Sequence, residues 1–145
     1  MKTQIITLKL KEAFVFHERP EGEWYRLIEI AEDSNLEDLH YCIQEAVSFD
    51  NDHLYEFFIA RTTHSYEKVI FDDEDGGLYN VPIKALFPLP KNRKLFYLFD
   101  FGDKWYFQVS KTKHAEKEKE PGVKYPRIIK SVGDDPEQYP EYDEY

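Results

Sequence analysis

Two stretches of this chain gather the residue types that acid–base or metal chemistry uses. Asp50-Asn51-Asp52-His53 places two carboxylates beside an imidazole, and Asp100 and Asp103 add two more carboxylates around Gly102. Together Asp50, Asp52, His53, Asp100 and Asp103 form a donor set that a divalent-metal hydrolase or nuclease would need. The competing account is structural: Asp and Asn suit a polar connection, and His53 can anchor it by hydrogen bonds. The structural account is preferred, so no catalytic or metal-binding residue is assigned and no cofactor is expected.

Other chemical signals are weaker. Asp100-Phe101-Gly102 matches the metal-binding triplet of protein kinases, but the glycine-rich loop, strand lysine and catalytic loop that must accompany it are missing. The run Asp72–Asp75 fails the calcium-loop spacing and reads as a solvated turn. Lys111, Lys113, Lys117, Lys119, Lys124, Arg127 and Lys130 are interleaved with Glu116, Glu118 and Glu120, which dilute any positive field. The lone cysteine, Cys42, excludes an internal disulfide and falls inside a helical pattern, where a small buried residue is commoner than a nucleophile.

The formal charge of −10 opposes direct nucleic-acid binding, which relies on clustered Lys and Arg. The N-terminal run MKTQIITLKLKEAF alternates apolar and polar residues, unlike a signal peptide, and no apolar run reaches membrane-spanning length. A soluble, cytoplasmic protein is expected. At 145 residues the chain is long enough for a single domain and one core, with an acidic, tyrosine-rich tail from about residue 133.

The elements that must hold these residues follow from period and punctuation. Ile6, Leu8 and Leu10 alternate with polar residues as a half-buried strand does, and Arg19–Gly22 supplies a turn into a second strand over 24–30. Ser34-Asn35-Leu36-Glu37 fits a capping box in which Ser34 and Glu37 satisfy backbone donors. Leu36, Leu39, Ile43, Ala46 and Val47 then recur at helical spacing, which predicts a helix from about 36 to 48 with His40, Glu37 and Glu45 on its solvated side. A third strand is expected over 54–60, weak structure from 61 to 93 with a short helix near 83–87, and a last strand over 125–132.

Between them LFYLFDFGDKWYFQV, residues 95–109, reads as a hairpin turning at Gly102-Asp103. A two-residue loop pairs Phe101 with Lys104, Asp100 with Trp105, Leu98 with Phe107 and Phe96 with Val109. Phe96, Leu98, Asp100, Trp105, Phe107 and Val109 then face inward, with the Asp100 carboxylate at the rim. Tyr97, Phe99, Phe101 and Tyr106 face outward, where they form a partner surface or lie beneath the tail that carries Tyr139, Tyr142 and Tyr145. Strands, then a helix, then strands, with no repeated βαβ unit, argue for an α+β fold: one mixed or antiparallel sheet with one main helix on a face. The opening hairpin–helix–strand order is that of a β-grasp, ubiquitin-like arrangement.

Three blocks carry a family resemblance: LEDLHYCIQEAVSFDNDHLYEF (Leu36–Phe57), FDFGDKW (Phe99–Trp105) and YPRIIKSVG (Tyr125–Gly133). Their identity, order and spacing resemble the plasmid Ri open-reading-frame-three-like family, also described as passenger proteins of insertion elements. The resemblance spans residues 5–139 and implies a small α+β domain without an established biochemical role, linked to mobile elements by gene neighbourhood. Many members have tryptophan where Phe49 stands, and a cysteine-containing acidic segment where this chain has Gly133–Glu137, so no metal or redox role is carried over.

The expectation is therefore a non-enzymatic binding or adaptor module engaging an unidentified protein partner. A metal-dependent hydrolase is the rival, and a DNA-binding accessory of transposition, which the charge opposes, comes third.

Overall fold

The structure, a computed structural model, describes residues 3–74 and 76–139. In chain order the elements are β1 (Gln4–Glu12), β2 (Tyr25–Ala31), α1 (Leu36–Val47), β3 (Tyr55–Ala60), β4 (Val69–Phe71), α2 (Gly77–Asn80), a 3-10 turn (Ile83–Ala85), β5 (Lys94–Phe99), β6 (Trp105–Lys111), β7 (Lys117–Glu118) and β8 (Arg127–Val132). The strands make one sheet in the order β4-β3-β5-β6-β1-β2-β8, with β7 pairing the start of β1. Every pairing is antiparallel. The fold is thus a mostly antiparallel sheet with few helices, and the β-grasp resemblance finds no confirmation in these pairings.

Helix α1 starts one residue later in its cap than the sequence suggests. Asn35, in an extended conformation, is the N-cap: its side chain accepts the Asp38 N–H at 2.9 Å, and the Asp38 carboxylate accepts the Asn35 N–H at 3.2 Å. Ser34 is occupied elsewhere, its carbonyl accepting the Ile83 N–H at 2.8 Å. The helix ends where Ser48 turns left-handed at φ 58° and returns its N–H to the last turn.

The apolar stripe of α1 (Leu36, Leu39, Cys42, Ile43, Val47) shares one buried cluster with Leu8, Leu10, Ile28, Ile30, Tyr97, Phe99, Trp105 and Phe107 from the sheet. Rings dominate it. Phe14 meets Trp105 and Phe107 edge-on at 5.3 and 5.4 Å between centroids, contacts that each add about 0.5–1.5 kcal/mol beyond area burial. A smaller cluster of Phe58, Ala60, Phe96, Leu98 and Tyr106 lies on the sheet's other face. Lys68 caps it with its ammonium 4.6 Å from the Phe58 ring.

The β5–β6 hairpin departs from the expected register. Phe99 pairs with Trp105, Leu98 with Tyr106, Tyr97 with Phe107 and Leu95 with Val109. A two-residue primed turn at Gly102-Asp103 needs positive φ at its first centre residue, and in type I′ at both, but here the left-handed residues are Asp100 (φ 66°) and Lys104 (φ 57°). The Lys104 N–H closes the longer loop onto the Asp100 carbonyl at 2.6 Å, and the Asp100 carboxylate accepts the Gly102 and Asp103 N–H groups at 3.1 Å each. A slip of one residue reverses a strand's faces. Leu95, Tyr97 and Phe99 therefore point into the main core, and Phe96 and Leu98 point out of it.

Candidate functional site

Pairing of Tyr55 with Phe99 makes the chain entering β3 a neighbour of the chain leaving β5. The Leu54 carbonyl accepts the Asp100 N–H at 2.9 Å. This brings three of the five candidate acid–base residues together. His53 Nε2 lies 3.3 Å from Asp100 Oδ2 and 3.7 Å from Asp52 Oδ1. Asp103 lies instead beside His17, whose Nε2 is 2.8 Å from the Asp103 carbonyl and 3.9 Å from its Oδ2. Asp50 takes part through its backbone, its N–H donating to Gln138 Oε1 at 2.8 Å.

The segment after β8 closes over this cluster. The Tyr139 hydroxyl donates to Asp52 Oδ2 at 2.6 Å and accepts from His53 Nε2 at 2.7 Å, while Gln138 Nε2 donates to Asp52 Oδ1 at 2.9 Å. The Tyr139 hydrogen bond, helped by Gln138, holds the Asp52 carboxyl below its ordinary range. The same bond pushes the Tyr139 hydroxyl up to about 12. Among the described residues no three His, Cys, Asp or Glu side chains are arranged to hold a metal ion.

Further back, Arg26 anchors the segment. Its guanidinium, almost wholly buried, donates to the carbonyls of Tyr25, Ala46 and Val132 at 2.8–3.0 Å and to Asp135 Oδ1 at 2.8 Å. It stacks over Trp24 at 4.3 Å, and the Trp24 indole N–H donates to the Asp134 carbonyl at 2.8 Å. Burial works against the Asp135 carboxylate, but Ser48 and Arg26 hold its pKa below the ordinary value. The tail through Tyr139 thus lies along the end of α1 and the 50–53 loop. Tyr142 and Tyr145, also candidates to cover the outer aromatic face, fall outside the described residues.

A polar network under α1 positions the 50–54 loop. His40, expected on the solvated face, is buried. Its Nε2 donates to Asn51 Oδ1 at 2.7 Å, so Nδ1 is left to accept the Tyr97 hydroxyl proton at 2.6 Å. Gln44 bridges the two, donating to the Tyr97 oxygen and accepting the Asn51 N–H, both at 2.9 Å. Burial drives the His40 pKa down to about 4 despite the Asn51 hydrogen bond, so the ring is neutral at pH 7. Cys42, two residues further along α1, is pushed up to about 12 by burial and by Glu45, which disfavours the nucleophilic thiolate.

On the outer side of this network is a cleft of about 240 Å³. Its walls are Tyr41, Leu54, Tyr55, Tyr79 and Phe101, and Glu37, Asp72, Asp73 and Glu74 stand among them. Four of these apolar side chains are unusually open for their size: Leu54 is 65% exposed, Tyr41 54%, Tyr79 47% and Phe101 43%. Burial raises the Tyr55 hydroxyl pKa, and the charges of Glu37 and Asp73 raise it further, as expected in a negative potential. A larger cleft of about 630 Å³ lies between the 16–21 loop and the tail. There Phe14, Trp24 and Trp105 are already buried against one another, leaving Phe16 as its open ring.

The family profile of the plasmid pRiA4b ORF-3-like proteins matches residues 17–142. The chain belongs to that family. A crystal structure of a protein of unknown function from Methanosarcina mazei Go1 is similar to this plasmid pRiA4b ORF-3-like chain, with a TM-score of 0.70 and 25% sequence identity over 90% of this chain and 71% of the other. No curated protein matches. Among the described residues no helix is long and apolar enough to cross a membrane.

The outward aromatic face expected for this member of the plasmid pRiA4b ORF-3-like family has to be redrawn. Tyr97 and Phe99 are fully buried in the main core because the hairpin register differs by one residue on β5, whereas Tyr106 does face away from that core and is buried in the opposite cluster by Phe58, Phe96 and Leu98. Only Phe101, in the loop, is open, and it belongs to the cleft. The other cleft residues carry no linear signature, since they come from α1, the 50–54 loop, the 72–74 turn and α2. Arg26 could have been suspected, because it shares strand parity with the inward Ile28 and Ile30.

Proposed function

We propose that the chain is a non-enzymatic binding module that engages a protein partner through the cleft between α1, the 50–54 loop and α2. The carrying observation is the cluster of open apolar side chains there, Tyr41, Leu54, Tyr79 and Phe101, on a surface that is otherwise strongly charged. Exposed rings grouped around a concavity are the usual mark of a contact site. The acidic composition favours a partner of basic character. Hydrolysis by the Asp52–His53–Asp100 cluster has less support, because both carboxylates already accept hydrogen bonds from Gly102, Asp103, Gln138 and Tyr139. A cytoplasmic location fits a chain with a single, buried cysteine and so no internal disulfide. Association with mobile elements concerns gene neighbourhood and adds no chemistry to the cleft.

Affinity capture with the wild-type chain and with a Tyr41→Ala/Tyr79→Ala variant tests the reading. Both positions are exposed, so the variant should keep its thermal midpoint. Proteins retained by the wild type and lost from the folded variant are the expected result. Identical captures by the two would overturn the assignment of this surface.

A further inference from the structure

We infer that this cleft receives one cationic side chain, a lysine ammonium or an arginine guanidinium, from the protein partner. The inference rests on the binding-module reading and adds the chemistry of what is bound. Three observations carry it.

First, the cleft is charged with one sign. Glu37, Asp72, Asp73 and Glu74 line it, and among the described residues no lysine or arginine does. Its one basic side chain, His40, has both ring nitrogens engaged, with Asn51 and Tyr97, and is buried.

Second, the walls are aromatic. Tyr41, Tyr55, Tyr79 and Phe101 come from four separate segments yet meet around one hollow. Aromatic rings attract ammonium and guanidinium groups through their quadrupole, and they do so most strongly where water is partly excluded. Leu54 beside them offers apolar surface for the methylene stem that such side chains carry.

Third, the size suits a side chain. Pockets for drug-sized ligands run from about 300 to 1,000 Å³, and this one has about 240 Å³. A single side chain presented by a macromolecule fits that space, while the rings and acids at its mouth contact the flanking backbone. A nucleic acid is excluded as the occupant by the same carboxylates, since it would bring phosphates to a negative site.

The test is an amide chemical-shift titration of the full chain with N-acetyl-glycyl-lysyl-glycine amide, its arginine and norleucine counterparts, and tetramethylammonium. Expected are saturable shifts confined to the segments around Tyr41, Leu54, Asp73 and Phe101 with the lysine or arginine peptide. Norleucine, with the same stem and no charge, should bind at least tenfold more weakly. Asp73→Asn and Tyr79→Ala should each weaken the lysine peptide by about threefold to tenfold without changing the thermal midpoint. Equal shifts with norleucine, or shifts spread over all acidic segments, would overturn the inference. Tetramethylammonium binding as tightly as the peptides would also overturn it, by making the cleft a site for small organic cations. If proteins depend on Tyr41 and Tyr79 for capture but the lysine and arginine peptides give no cleft shifts, the cationic occupant is wrong while the binding module stands. If the peptides bind and captures are identical, the partner reading is what fails.

Discussion

His40 Nδ1 accepts the Tyr97 hydroxyl proton at 2.6 Å, joining α1 to the middle of β5 through the core. Gln44 and Asn51 complete the set, so every polar atom brought into the interior there has a partner. Buried networks of this kind are worth keeping whole or not at all. Replacing Tyr97 by Phe keeps the ring and strands His40 Nδ1 together with one Gln44 donor. The expected cost is about 1–3 kcal/mol, read as a lower urea midpoint with an unchanged slope.

The same histidine sets a pH dependence. Its folded pKa, about 4, lies below its unfolded value near 6.5, so the unfolded chain binds more protons between those limits. Stability therefore rises with pH across that window and falls as the solution is acidified through it. Urea unfolding at pH 7 and at pH 5 should give a lower midpoint at pH 5. His40→Gln should be less stable at pH 7 but lose less on acidification. An equal loss in both proteins would contradict the role given to His40.

Arg26 ties three carbonyls and Asp135 together from a buried position. Arg26→Met keeps the stem and leaves those acceptors unpaired. Breaking a buried ion pair costs about 3–5 kcal/mol. With Asp135 half open to solvent, the lower end of that range is expected in chemical denaturation. Gly133 is a second sensitive point. At φ 86° an added Cβ would lie 2.6 Å from Trp24 Cδ1, so Gly133→Ala should destabilise by more than about 1 kcal/mol.

The contact between the tail and the 50–53 loop is readable at one atom. In Tyr139→Phe the Asp52 carboxyl loses its strongest hydrogen-bond donor. Its NMR titration midpoint should move up towards that of an ordinary aspartate, with His53 chemical shifts changing in step. No movement of the Asp52 midpoint would contradict the contact.

Much of the fold was legible because local signals and packing agree. Leu36, Leu39, Ile43 and Val47 repeat at helical spacing and are among the residues α1 buries. Ile6, Leu8 and Leu10 alternate and line one face of β1. The hairpin register is not legible locally, because Gly102-Asp103 looks like a two-residue turn whereas the left-handed positions fall at Asp100 and Lys104. Helical spacing alone sends His40 to solvent, because its partners, Tyr97 and Asn51, lie 57 and 11 residues away. For the candidate site, the pairing of Asp52, His53 and Asp100 followed residue type, but Gln138 and Tyr139 gave no local sign of joining them. The cleft was hidden for the same reason: its parts meet only when the sheet order brings β3 beside both β4 and β5.

The central claim, that the cleft is where a basic protein partner docks, is tested most directly by cross-linking. A photoreactive phenylalanine analogue placed at position 41, on the cleft wall, is compared with one at position 129 on β8, an exposed site well away from it. The account predicts cross-links from position 41 to partner segments that contain lysine or arginine, abolished by Asp73→Asn with Tyr79→Ala. Equal cross-linking from both positions, or cross-links from position 41 that survive the double substitution, would contradict it.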